Sequence, residues 1–167
     1  MGPTSGLLDR AVRYSTLYQI RLGTRLGFGK DGTIWRTDAR TALKVFKTRD
    51  LYVRELAAYQ RLRERGVAEL CGHDVPTLEQ WDDDLMAIEM TIVERPFVLD
   101  FASARLDGDR IEFPPDVVEE QEARIRELFG LRVWKVAAIR AALEQHGIHM
   151  TDIHPGNIAF VESEEDE

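Results

Sequence analysis

Cysteine is nearly absent: Cys71 is the single one in 167 residues. No intrachain disulfide can form, and a reducing compartment is expected. Long apolar runs are missing too, and none approaches the roughly 20 residues of a membrane-spanning helix. The N-terminus, Met1-Gly2-Pro3-Thr4-Ser5-Gly6, lacks a signal-peptide core, and Gly6 stands where a myristoylation signal wants Ser or Thr. Positive charge is in deficit, with 22 Lys and Arg against 30 Asp and Glu and a formal charge of −8. Five of the last six residues are acidic (Glu162, Glu164, Glu165, Asp166, Glu167), and without them the body carries only about −3. That balance excludes the basic footprint of a nucleic-acid binder. Internal repeats are absent, and the acidic tail is the only low-complexity segment. A cytoplasmic protein with neither membrane nor nucleic-acid partners is expected.

What is there is 44% hydrophobic, enough for one compact core or two small lobes sharing a cleft. Leu7–Tyr14 has weak helical spacing. Tyr18, Ile20 and Leu22 alternate with polar or small residues as a strand does. Gly27-Phe28-Gly29-Lys30-Asp31-Gly32 reads as a glycine-rich turn between that strand and the next, Thr33–Thr37, and Thr41–Phe46 makes a third strand of an antiparallel sheet. Asp50 is a candidate N-cap for a helix over Leu51–Arg65 that Gly66 stops. Pro76–Trp81 and Leu85–Val93 flank Asp82-Asp83-Asp84 as a hairpin extending the sheet. A mixed connector over Val98–Phe113 follows, with a turn at Asp107-Gly108-Asp109. Helices are expected from Pro114 to Phe129, with Val118, Ile125 and Leu128 inward, and over Val133–His146. Gly147 has the residue type suited to the left-handed position past a helix end. Ile158–Val161 closes as a short strand.

Several side chains carry chemistry. Glu55 falls on the apolar stripe of its helix with Leu51, Ala58, Tyr59 and Leu62, where an acid is costly without a partner. Lys44, between Leu43 and Val45 on the preceding strand, could supply that partner and also meet phosphate oxygens. The glycine turn joins two strands, so it does not fit a dinucleotide-binding crossover, whose third glycine opens a helix. It is either a plain flexible hairpin or one that lies over phosphates with its N–H groups aimed at them. Asp152 and Asn157 share a loop in which Pro155 and Gly156 fix the turn, so an acid and an amide oxygen could orient a hydroxyl and hold a hard cation. His146, His149, Asp152 and His154 offer a rival, zinc-type reading. Cys71-Gly72-His73 reads as a loop.

Taken in order, the G-x-G-x-x-G hairpin, A-L-K on the next strand, the helix with Glu55, the strand pair, two helices and D-x-x-x-x-N resemble the protein-kinase-like fold. Its aminoglycoside-phosphotransferase-like branch commonly carries a loop of H-G-D-L-H-P-G-N type, against H-M-T-D-I-H-P-G-N here. The resemblance covers roughly residues 17–161. It implies an α+β fold: an N-terminal extension (1–16), an N-lobe (17–93), a minimal C-lobe (94–161) and an acidic tail (162–167). It further implies ATP and Mg²⁺ as cofactors. Gly27, Gly29 and Gly32 would cover the phosphates. Lys44, paired with Glu55, would contact the α- and β-phosphates, and Glu89–Val93, with Glu89 and Thr91, would meet adenine. Asp152 would be the catalytic base or a hydroxyl-orienting acid, His154 would stand in for the loop lysine, and Asn157 would bind the metal.

Two departures shape the expectation. Met150-Thr151 replace the usual His-Arg, and the chain ends ten residues after Asn157. The Asp-Phe-Gly acid, the activation segment and the rest of the C-lobe are therefore expected to be missing, with Glu162 or the tail acids as substitute ligands. The expected function is an ATP-dependent phosphotransferase acting on a protein or small molecule. The alternative is a pseudokinase-type interaction module. A shortened C-lobe could also leave apolar surface for a second copy of the chain to cover.

Overall fold

A computed structural model describes residues 3–161. The expected N-terminal extension is a packed helix, α1 (Pro3–Leu17). The sheet follows as β1 (Leu22–Phe28), β2 (Gly32–Thr37) and β3 (Thr41–Phe46), then helix α2 (Arg49–Glu64). Two short strands come next, β4 (Glu69–Leu70) and β5 (His73–Asp74), and then the hairpin β6 (Leu78–Asp82) and β7 (Ala87–Thr91). The five long strands form one antiparallel sheet in the order β1-β2-β3-β7-β6.

Period-two alternation on β3 decides which side chains meet. Leu43 and Val45 face α1, where they pack with Leu7, Ala11 and Tyr14, one stripe of that helix. Ala42 and Phe46 face α2 and the larger core with Tyr52, Tyr59 and Leu62. Lys44 shares their parity and so points at α2. Because both faces are covered, nearly every residue of β3 is buried. Arg10 of α1 ties that helix to the sheet, donating to the carbonyls of Leu85 (2.8 Å) and Phe46 (2.6 Å).

The N-cap of α2 is Thr48, whose hydroxyl accepts from the N–H of Leu51 at 3.4 Å; Asp50, expected in that role, sits in the first turn. There its charge still favours the positive end of the helix dipole. Gly66 then ends the helix with φ +66°.

The remaining elements are β8 (Phe97–Val98), β9 (Arg105–Leu106), a 3-10 turn at Asp107–Asp109, α3 (Pro115–Phe129), α4 (Val133–Gln145), β10 (Ile148–His149) and β11 (Ile158–Ala159). On α3 only Ile125 and Phe129 are buried, while Val118 and Leu128 are exposed. The expected three-residue stripe is shorter because α3 meets the body chiefly through its C-terminal half. On α4, Val136, Ile139 and Leu143 reach the same cluster as Ala42, Met90 and Ile158, so one core runs unbroken from sheet to helices. Fully burying each such aliphatic side chain contributes roughly 1.5–3 kcal/mol. Gly147 has φ +73°, and a Cβ there would stand 2.6 Å from Asp107 Oδ2 and 2.7 Å from Arg61 Nη1. Leu131 and Trp134 leave an apolar patch at the α3–α4 junction.

Two-residue strands stitch distant segments together. β11 pairs antiparallel with β8 (Ile158 opposite Val98), β8 pairs in parallel with β5, and β10 pairs antiparallel with β9 (His149 opposite Arg105). Among the described residues no helix is long and apolar enough to cross a membrane.

Candidate functional site

Lys44 and Glu55 meet as their parities require: Lys44 Nζ lies 2.6 Å from Glu55 Oε2, and both side chains are almost wholly buried. A second carboxylate joins them. Asp100 Oδ1 is 3.3 Å from Lys44 Nζ, and the Asp100 side chain is 30% exposed. Burial works against the charged form of Lys44, but Glu55 and Asp100 outweigh it and hold the ammonium protonated. Burial pushes the Glu55 carboxyl up to about 7, against the pull of Lys44 and with the help of Asp100.

Two adjoining cavities meet at Lys44 and Asp100. The first, about 200 Å³, is mostly apolar, lined by residues such as Leu26, Ala42, Met90, Ile92 and Val93. The second, about 630 Å³, is the more polar of the two, bounded by the Gly27–Gly32 hairpin, Ser103, Asp152 and His154. Ile34, Lys44 and Asp100 line both.

The hairpin glycines divide their tasks. A Cβ on Gly32 would stand 2.1 Å from the Val45 carbonyl, so Gly32 is there to let β2 and β3 approach. Gly29 has open space around it, and Gly27 faces only Ile34 Cδ1 at 3.7 Å. Lys47 Nζ donates to the Gly29 carbonyl at 2.7 Å and holds the tip.

Asp152 is exposed at the polar cavity; its N–H donates to Ser103 Oγ at 3.2 Å, and Oδ2 lies 3.6 Å from His154 Nε2. Asn157 is buried, and its Nδ2 donates to the Asp152 carbonyl at 3.0 Å. With Nδ2 committed there, Oδ1 is the amide atom that could ligate a cation. The Leu99 N–H donates to the Asn157 carbonyl at 2.9 Å, which places Asp100 next to this loop.

Asp100 is the residue the sequence reasoning missed. Its backbone is left-handed, φ +65°, uncommon for a non-glycine residue and tolerated best by Asp and Asn. The signal was available: Asp100-Phe101-Ala102 differs from Asp-Phe-Gly only in its last residue. It lies before the Asp152 loop, whereas the search for that acid looked beyond Asn157. The β8–β11 pairing brings it beside that loop all the same. Glu162, expected as the substitute ligand, lies outside the described residues.

The expected adenine contact at Glu89 does not fit its placement. Its carboxylate faces α1, accepting from Tyr14 Oη at 3.0 Å and Thr41 Oγ1 at 2.5 Å, and its backbone is paired with both β3 and β6. Burial pushes the Tyr14 phenol up, and Glu89 adds to the shift. Thr91 does line the apolar cavity, its Oγ1 accepting from the Thr77 N–H at 2.8 Å.

The zinc-type reading finds no support. Among the described residues no three His, Cys, Asp or Glu gather as a metal site. His149 Nε2 bonds Asp107 Oδ1 at 2.6 Å, His146 Nδ1 is buried without a partner, and His154 lies beside Asp152. Cys71 is exposed. For a hard cation, by contrast, the carboxylate of Asp100 and the amide oxygen of Asn157 are a suitable donor pair, since Mg²⁺ takes one or two protein oxygens and completes its shell with water and phosphate.

No protein-family model and no curated protein sequence matches the chain. Among solved structures it is similar to the streptomycin–ATP–APH(2'')-IIa ternary complex, at 15% identity and a TM-score of 0.39 over 72% of this chain. It is also similar to ADP-bound aminoglycoside phosphotransferase APH(2'')-Ib, at 15% identity and 0.40 over 74%. The matched part spans 36% and 40% of those two chains. At these values the likeness concerns part of the backbone course only.

Proposed function

We propose that the chain is a kinase-like, ATP-dependent phosphotransferase with an N-lobe over 17–93 and C-lobe elements over 94–161. The observation that carries this is the convergence of Asp100, Asp152 and Lys44, itself held by the buried Glu55, on one cavity bounded by a glycine hairpin. The apolar cavity beside it suits a flat purine ring, with Ile92 and Val93, past the doubly paired stretch of β7, taking the contact once expected of Glu89.

Gly27 and Gly29 leave the hairpin backbone close enough to turn its N–H groups to phosphate. Lys44, fixed by Glu55, presents its remaining donor capacity at the junction of the two cavities, where the α- and β-phosphates would lie. Asp152 accepts the proton of an acceptor hydroxyl while its oxygen attacks the terminal phosphorus; the bond to the bridging oxygen breaks and a nucleoside diphosphate leaves. His154 steadies the Asp152 carboxylate. Asp100 and Asn157 would hold Mg²⁺, which when bound offsets phosphate charge. The acceptor is a hydroxyl of a protein or small molecule.

A second reading, an interaction module without transfer, is favoured by one observation: Lys44 is already neutralised by two carboxylates. Calorimetric titration with ATP, with and without Mg²⁺, separates them. Binding that Mg²⁺ strengthens is expected. Binding indifferent to Mg²⁺ would favour the second reading, and no binding would sink the nucleotide assignment altogether.

A further inference from the structure

The two cavities set an order along the cleft. The apolar cavity is one end, Lys44 and Asp100 line both cavities at their junction, and the polar cavity lies beyond. Arg54 lines only the polar one. It precedes Glu55 on α2, and the 100° turn per residue carries its side chain off the face that buries Glu55, to the lip of that cavity.

The charges at that lip are unevenly spoken for. Lys44 sits between Glu55 and Asp100, and Lys30, which also lines this cavity, stands exposed on the hairpin tip. His154 stands beside Asp152. Among the described residues Arg54 is held by Asp50 alone, one turn back on its own helix, with Nη2 on Oδ2 of a side chain that is 68% exposed. Arg54 is itself 26% exposed, but with Asp50 largely in solvent the pair is weak and easily exchanged. Its Nε is buried and has no acceptor. A guanidinium binds phosphate best through a two-pronged fork, and here one prong of the Nε–Nη2 fork is unused.

We propose that Arg54 is a phosphate-binding cation of this cavity, the residue that tells a nucleoside triphosphate from a diphosphate by taking the terminal phosphate on Nε and Nη2 in exchange for Asp50. This rests on the nucleotide reading above. Its position beyond Lys44 fits the third phosphate: a diphosphate ends near the cavity junction, while a triphosphate extends past it. Asp50 acts as a placeholder that keeps the guanidinium extended when no phosphate is present.

The test compares ATP and ADP affinities, by calorimetry in Mg²⁺, for wild type, Arg54→Ala, Arg54→Lys and Asp50→Ala. Wild type is expected to prefer ATP. Arg54→Ala should lose on the order of tenfold in ATP affinity, the size of one charge-assisted contact, with ADP affinity nearly unchanged. Arg54→Lys, which keeps the charge and loses the fork, should fall between. Asp50→Ala removes the competitor and should tighten ATP, an effect that a folding defect would not produce. Equal losses for ATP and ADP in Arg54→Ala, or no change in either, would overturn the assignment of Arg54 alone. An Asp50→Ala protein with weaker ATP binding would count against the exchange. Wild type binding neither nucleotide would defeat the nucleotide reading itself, and this assignment with it.

Discussion

The cleft has two halves made in different ways. On the sheet side, Lys44 and Glu55 lie 11 residues apart on consecutive elements, and each is aimed by the period of its own element. On the loop side, Asp100 and Asp152 come from segments about fifty residues apart, brought together by two-residue strands and by bonds such as Asp152 N–H to Ser103 Oγ. A local half can be inferred from periodicity. A non-local half depends on pairings too short to leave a pattern. The two halves should also respond differently to mutation: the first mainly in stability, the second mainly in function.

The largest expected effect is on the sheet side. Lys44→Ala leaves Glu55 as a buried, unpaired acid and should cost about 3–5 kcal/mol of stability. At this chain length that corresponds to a fall in Tm of roughly 10 °C or more, together with weaker ATP binding. Thermal unfolding checks it, and a shift of only a degree or two would show that the pair is not the anchor its burial implies.

Asp152→Asn should behave in the opposite way. The side chain is exposed, and the bonds to Ser103 and Asn157 run through the Asp152 backbone, so stability and ATP affinity should hold. Turnover on any acceptor should drop by about 10²–10⁴, the usual contribution of a positioned general base. Loss of ATP affinity in a folded Asp152→Asn protein would blur the contrast between the halves.

A smaller effect lies in pH. Glu55 has its folded pKa raised from 4.5 to about 7, so the folded state holds a proton there that the unfolded state releases. Its contribution to stability is complete below about pH 4.5 and is lost as pH rises through about 7. Relative to Glu55→Gln, wild type should therefore lose stability between those values. Parallel melting curves for the two proteins across that window would contradict the raised pKa.

The same contrast explains what could be read in the sequence. The α+β class, β3, the helix bearing Glu55, the β6–β7 hairpin and Gly147 as a left-handed stop were legible because each rests on local periodicity or on one residue's backbone preference. Parity on a strand also put Lys44 opposite Glu55. By contrast, α1 was read only as weak helical spacing in an extension, since its stripe of Leu7, Ala11 and Tyr14 gains its meaning from the sheet it covers. The inward stripe of α3 was overcounted for a related reason, as periodicity does not say how much of a helix finds a partner. Asp100 was missed because the acid was sought after the Asp152 loop. The β8–β11 pair shows that strand register, not chain order, sets which residues meet there.

Asp100 is the centre of the account, and one measurement addresses it directly: the dependence of ATP affinity on Mg²⁺ in Asp100→Asn, beside wild type and Glu162→Gln. The account predicts that Mg²⁺ strengthens ATP binding in wild type and in Glu162→Gln and has no effect in Asp100→Asn, whose Mg²⁺-free affinity is retained. Full Mg²⁺ dependence in Asp100→Asn, or its loss in Glu162→Gln, would contradict the assignment and return the metal-binding acid to the tail.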